Sequence, residues 1–142
     1  MTIAAAADIF RQLDREVWIV TADDGAGRRG GLLCTTVVSA SIAPECPRAL
    51  LTLSHLHQTW SLVRASGRFA LHLVSADQVE RALRFGTTSS RETDKFAGLS
   101  VVKGPSGAPR LTDAPAWIDC RVEATLPIGD RTVVLAEATD AE

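Results

Sequence analysis

A chain of 142 residues with a net charge of −2 and a pI near 5.9 suits one domain, large enough to bury about two-thirds of its unfolded surface around a single core. Its arginines are scattered rather than clustered, so there is no basic field for a nucleic acid. Cys34, Cys46 and Cys120 show no CxxC spacing and leave an odd thiol, which points to a reducing compartment and a cytoplasmic protein.

The opening residues lack a basic leader, and Asp8 interrupts their apolar run, so neither a signal peptide nor a membrane anchor is expected. Ala4 to Leu13 carries Ile9, Phe10 and Leu13 on one side, which predicts a short helix covering the body. From Glu16 the pattern turns to β. Val17 to Thr21 runs into the turn residues Asp23-Asp24-Gly25, and Gly30 to Ser41 is expected to return antiparallel. Pro44 and Pro47 bracket a turn before a strand from Arg48 to Leu53, apolar enough to be covered on both faces.

Thr59 is placed to cap a helix through Trp60, Leu62 and Val63, which Gly67 ends in a left-handed C′ role. A strand from Arg68 to Val74 follows. Ser75 and Gln78 then form a capping box for a helix through Val79, Ala82, Leu83 and Phe85. Thr87 to Thr93 exceeds the usual connector and is a candidate lid or binding loop. Leu99 to Lys103 is a short strand that Gly104 to Pro109 cannot continue. Ala116 to Thr125 and Arg131 to Thr139 pair across Gly129-Asp130, with Ala116, Ile118, Cys120, Val122 and Ala124 on one face. About seven strands and two or three helices predict a mainly β fold, a small barrel with helical cover, as one domain over residues 1–142.

Gly25 to Gly30 matches GxGxxG literally, but a dinucleotide fingerprint requires a helix next. The following residues, Gly31 to Val38, are β-branched and carry no helical stripe, so the segment is a hairpin turn. His55 and His57 form an HxH pair without the further ligands that zinc requires. The alternatives there are a solvated loop, or a helix mouth where Ser54 to Thr59 donates hydrogen bonds to a phosphate. His72, mid-strand among apolar residues, is expected as a core histidine satisfied by a carbonyl. Lys95 is a solvated loop end unless an anion lies beside it. Neither GxSxG, HExxH nor a P-loop occurs. Redox chemistry carried by a bound cofactor therefore fits better than hydrolysis.

The stretch Gly31 to Pro44, the polar loop, the segment Thr59 to Leu73 with its Ala-Ser-Gly-Arg-Phe-Ala-Leu core, and Asp94-Lys95-Phe96 together closely resemble the flavin reductase-like domain family, with its FMN-binding split barrel. The similarity runs from Phe10 to Thr139. It implies a homodimer of split barrels with short covering helices, each binding FMN near the subunit interface and accepting hydride from NADH or NADPH. FAD and haem are alternative ligands, and a flavin-dependent monooxygenase is an implied partner. By family pattern Leu33, Cys34, Thr35 and Thr36 would face the isoalloxazine and ribityl chain. Ser54, His55, His57 and Thr59 would hold the phosphate, and Lys95 and Phe96 would close over the site. Against that pattern, Leu33 stands where many members have a hydroxyl residue, and two histidines stand where the phosphate loop commonly has Arg or Lys. The chain also ends at Glu142 without the closing strand usual in the family. A non-reductase electron carrier and a ligand-free dimeric interaction module are the other functional readings.

Overall fold

The computed structural model describes residues 3–142. In chain order the elements are α1 (Ile3–Arg11), β1 (Trp18–Asp23), β2 (Arg29–Cys34), β3 (Val38–Ser39), β4 (Arg48–Ser54), α2 (Gln58–Ser66), β5 (Arg68–Leu73), α3 (Val79–Thr87), β6 (Val101–Lys103), β7 (Pro109–Leu111), β8 (Trp117–Ile128) and β9 (Arg131–Ala141). Seven strands form one antiparallel sheet in the order β2-β1-β5-β8-β9-β4-β3, and β6 and β7 form a separate ribbon. This is the mainly β class the sequence predicts, a curled half-barrel with three short helices.

The curl follows from connectivity. β2 and β3 sit on opposite edges of the sheet, yet only Thr35, Thr36 and Val37 separate them. So short a link reaches about 14 Å at most, so the two edges must meet. Thr36 stitches them: its hydroxyl donates to the Thr52 carbonyl at 3.3 Å and accepts from the Thr52 amide at 3.1 Å. Gly30 to Ser41 is therefore not one strand. The β1–β2 ladder ends at Trp18↔Cys34, and the chain beyond has no neighbour until it reaches β4.

Inside the curl, Val20, Leu32, Leu51, Leu53, Phe69, Leu71 and Val134 pack against Leu62 and Val63 of α2. On the other side of β1, Ile19, Phe85, Phe96 and Leu111 form a second cluster, with Phe85 and Phe96 edge to face at 5.4 Å. β1 is thereby covered on both faces. β4, expected to be so covered, alternates instead.

Gly67 ends α2 at φ 70°, its amide bonded to the Val63 carbonyl at 2.7 Å. The box before α3 is only half formed: Gln78 accepts from the Ser75 amide at 3.2 Å, while the Ser75 hydroxyl turns to Asp77 and Gln78 itself becomes the N-cap. β7 is an addition, opening on Pro109 inside the run that seemed to end the strand structure. It is pinned from below, where the Leu111 amide donates to His72 Nε2 at 3.1 Å and His72 Nδ1 donates to the Ile19 carbonyl at 3.2 Å. Register shifts between Asp119 and Cys120 and between Val122 and Ala124 break the alternation of β8. Asp119 is consequently buried, accepting from the Ser106 amide and hydroxyl.

α1 departs furthest from expectation. No residue of it is buried, and Phe10 is 65% exposed. Amphipathic spacing establishes that a helix has an apolar face, but the described chain supplies nothing to cover it.

Candidate functional site

The turn between β4 and α2 is held tightly. Ser54 Oγ accepts from the Leu56 amide at 3.2 Å, the Ser54 carbonyl accepts from the His57 amide at 3.3 Å, and the His55 amide reaches across to the Asp130 carbonyl at 3.1 Å. His57, rather than Thr59, is the N-cap of α2, and no side chain caps the helix. Its first turn therefore keeps free amide donors at the positive end of the helix. Thr59 lies one position inside and is buried. Thr59 Oγ1 and Gln58 Oε1 are buried with no hydrogen-bond partner among the described residues.

Beside this turn is an enclosed pocket of ≈ 110 Å³ that brings together Leu33, Cys34, Thr35 and Thr36 with Thr52, Ser54, His57 and Arg131. The backbone of Thr35 and Thr36 lies past the last β1–β2 pair, so it offers donors and acceptors that the ladder does not use. Leu33 turns its side chain outward onto α3, where its Cδ2 meets Gly86, and presents backbone to the pocket. Cys34 is buried, with Sγ 3.2 Å from Thr36 Oγ1.

Arg131 is the residue sequence reasoning missed. It stands far from the β4–α2 turn in sequence and enters through the β4–β9 ladder, whose register sets it opposite Ser54. Arg91, from the long loop, braces the turn's other side by donating to the Leu56 carbonyl at 2.6 Å. The turn is thus flanked by two fixed cations and does not depend on its histidines for charge. Burial, with Lys95, Arg131 and Arg91 nearby, holds the His57 pKa below its ordinary value.

The two histidines face different clefts. His55 pairs Nε2 with Thr132 Oγ1 at 2.6 Å and lies 6.1 Å from the Trp60 ring. It lines a larger cleft of ≈ 720 Å³ between α2 and the β8–β9 hairpin, together with Arg64 and Arg91. Lys95 and Phe96 border neither opening. Lys95 is 2% exposed and donates to the carbonyls of Gly31 and Phe85, both at 2.8 Å; burial lowers its pKa to about 8. Phe96 is buried beneath the Arg29 guanidinium, 4.8 Å from its centroid. The pair braces β2 from behind rather than lying over the pocket. Gly31 shows how close that bracing is, because a Cβ there would meet Phe85 at 2.5 Å.

A strand end and an uncapped helix mouth meet beside one pocket of this curled β half-barrel, an arrangement whose free donors suit a small anionic ligand. The chain belongs to the flavin reductase like domain family, matching its model over residues 10–142. It is 32% identical over 130 residues to the actinorhodin polyketide dimerase of Streptomyces coelicolor, covering 92% of this chain and 71% of that one. It is 32% identical over 121 residues to HsaB, the reductase subunit of a flavin-dependent monooxygenase from Rhodococcus jostii, covering 85% and 58%. The NADH:FAD oxidoreductase SgcE6 of Streptomyces globisporus, solved with NAD and FAD fragments, superimposes with a TM-score of 0.84 at 25% identity, covering 98% of this chain and 81% of that one. The chain spans about half the length of several curated relatives it matches.

Proposed function

We propose that this chain binds a flavin, FMN or FAD, in the pocket at the end of β2 and serves as an NAD(P)H-dependent flavin reductase. The observation that carries the reading is the convergence of Leu33 to Thr36, Ser54, His57 and Arg131 on one enclosed pocket beside the free mouth of α2. The donor set fits the group. Unused backbone of Thr35 and Thr36 suits the polar edge of an isoalloxazine. The uncapped amides of α2 and the Arg131 guanidinium suit its phosphate. A bound flavin supplies two-electron acceptance from NADH or NADPH.

The chain's own residues bind and orient. Lys95 and Phe96 fix β2 from behind, so that the strand end holds its line. His57, neutral near pH 7, supplies a ring N–H without a charge. A second copy of the chain covers the outer sheet face next to the pocket, making a homodimer, and residues 1–142 act as one domain. Similarity to a monooxygenase reductase subunit supports delivery of reduced flavin to a partner monooxygenase. Three free cysteines fit the cytoplasm, and among the described residues no helix is long and apolar enough to cross a membrane.

The test is a visible spectrum of the purified chain with FMN or FAD added, followed by anaerobic addition of NADH or NADPH. Flavin binding with bleaching by a nicotinamide nucleotide is expected; a protein that takes up neither flavin overturns the reading. Similarity to a polyketide dimerase favours a second reading, a flavin-binding chain whose reaction is not nucleotide-driven reduction. Binding without bleaching by either nucleotide would select it.

A further inference from the structure

We propose that Leu33 is a positioning residue for the flavin: its side chain, seated in the notch that Gly86 leaves in α3, fixes the strand-end peptide that meets the ring. The inference rests on the flavin reading for the occupant of the pocket and adds the contact that sets its fit.

β2 is an edge of the sheet, and its ladder with β1 pairs Gly31 with Thr21 and Leu33 with Ile19. Gly31 turns its peptide groups away from β1. The Ser90 hydroxyl accepts from its amide and donates to its carbonyl, both at 3.2 Å, and Lys95 donates to the same carbonyl. Outward-facing positions recur at every second residue of an antiparallel strand, so Leu33 is the next. No strand lies beyond it, and its N–H and C=O are left to the pocket at the end of β2, which Leu33 lines.

The place of that peptide is set from α3. Gly31 and Leu33 share one face of β2, and α3 meets them with a reciprocal exchange of large for small. Phe85 lies over Gly31, where an added Cβ would stand 2.5 Å from its ring. Leu33 lies over Gly86, where an added Cβ would stand 3.1 Å from Leu33 Cδ2 and 3.5 Å from Leu33 Cβ. Lys95 ties the two elements together through the carbonyls of Gly31 and Phe85. Gly86 does not adopt a positive φ, and glycine weakens a helix, so what it contributes to the last turn of α3 is room for Leu33.

The two halves of this exchange are not equally fixed. Phe85 is 1% exposed and meets Phe96 edge to face. Leu33 has a free flank: it borders an open apolar cleft of ≈ 540 Å³ together with Val74, Val79 and Leu83, and Val79 and Leu83 are exposed. A Leu33 side chain pushed off Gly86 therefore has space to enter, and it takes the strand-end backbone with it.

The test moves Leu33 without altering any residue of the pocket. In Gly86→Ala the new Cβ presses on Leu33 Cδ2, which yields into the open cleft, while the helix gains from alanine. Thermal unfolding should give a Tm no lower than that of wild type. FMN titrated by fluorescence quenching should bind roughly tenfold more weakly, the worth of one hydrogen bond, and the KM for FMN should rise while kcat with NADH holds. Leu33→Val removes the atom that the alanine meets but leaves the notch unfilled when Gly86 is kept. The double variant should therefore recover the FMN affinity that each single variant loses. Unchanged FMN affinity in Gly86→Ala, a loss accompanied by a lowered Tm, or a loss that the double variant does not recover overturns the proposal while leaving flavin binding standing. Wild-type protein that takes up no flavin overturns both.

Discussion

His72 is a mid-strand histidine whose two ring nitrogens are both used, one as donor to Ile19 and one as acceptor from Leu111. Burial lowers its pKa to about 4, whereas the unfolded chain protonates near 6.5. Below 6.5 the unfolded state therefore binds more protons. The stability from the neutral ring is complete above 6.5 and is lost as pH falls toward 4, by about 3 kcal/mol over that window. Urea unfolding at pH 7 and pH 4.5 should show His72→Val less stable than wild type at pH 7, with a shallower loss on acidification. Arg131 makes a second prediction. Because the His57 pKa is held below its ordinary value, that ring is neutral at pH 7, and the phosphate must rely on the guanidinium. Arg131→Ala should weaken FMN binding roughly tenfold to a hundredfold, the worth of a hydrogen bond to a charged group. Wild-type affinity measured by fluorescence quenching should be flat between pH 7 and 8; a marked weakening across that interval would return the charge to the histidines.

Elements specified by local chemistry were legible in the sequence, and those specified by distant pairing were not. Gly67 announces the end of α2 because only a left-handed cap residue ends a helix that way. The alternation from Arg68 to Val74 announces β5. The division of Gly30 to Ser41 into β2 and β3, the ribbon strand β7 and the placement of Arg131 all depend on which strand lies alongside, and no local signal carries that. Leu33 to Thr36, Ser54 and His57 were gathered from sequence because the family pattern runs through one continuous stretch. Lys95 was seen, but its task behind β2 requires knowing where the Gly31 and Phe85 carbonyls point. The Thr36 stitch is of the same kind and is testable. Thr36→Val keeps the shape but removes the acceptor of the Thr52 amide, which should cost about 0.5–1.5 kcal/mol. Thermal unfolding should register that loss as a lowered Tm, and an unchanged Tm would mean that the edges of the curled sheet are held by something other than this hydroxyl.

At the scale of the molecule, the pocket at the end of β2 is too small alone. At ≈ 110 Å³ it is below the roughly 300 Å³ at which sites that bury a small molecule begin, so a tricyclic ring placed there needs another wall. The sheet register shows where that wall attaches. Directly paired residues share a face, and the pairs Val38↔Leu50, Leu50↔Leu135 and Ala124↔Leu135, then Thr52↔Val133 and Leu126↔Val133, run an apolar band across the outside of β3, β4, β9 and β8. Val134 and Thr132, between them in sequence, are buried on the inner face. Leu126 is 60% exposed, and Thr52 belongs both to this band and to the pocket lining. A second copy seated on the band would therefore bury it and close the pocket in one step. Leu126→Asp places a charge in the middle of that surface without touching the core, so light scattering should report a dimer for wild type and a monomer for the variant, and flavin affinity should fall with it. Val102→Asp, on the exposed outer strand of the β6–β7 ribbon, is the matched control and should change neither. A Leu126→Asp monomer that kept full flavin affinity would mean that one chain encloses the ring by itself and that the pocket opens on binding rather than being completed by a partner.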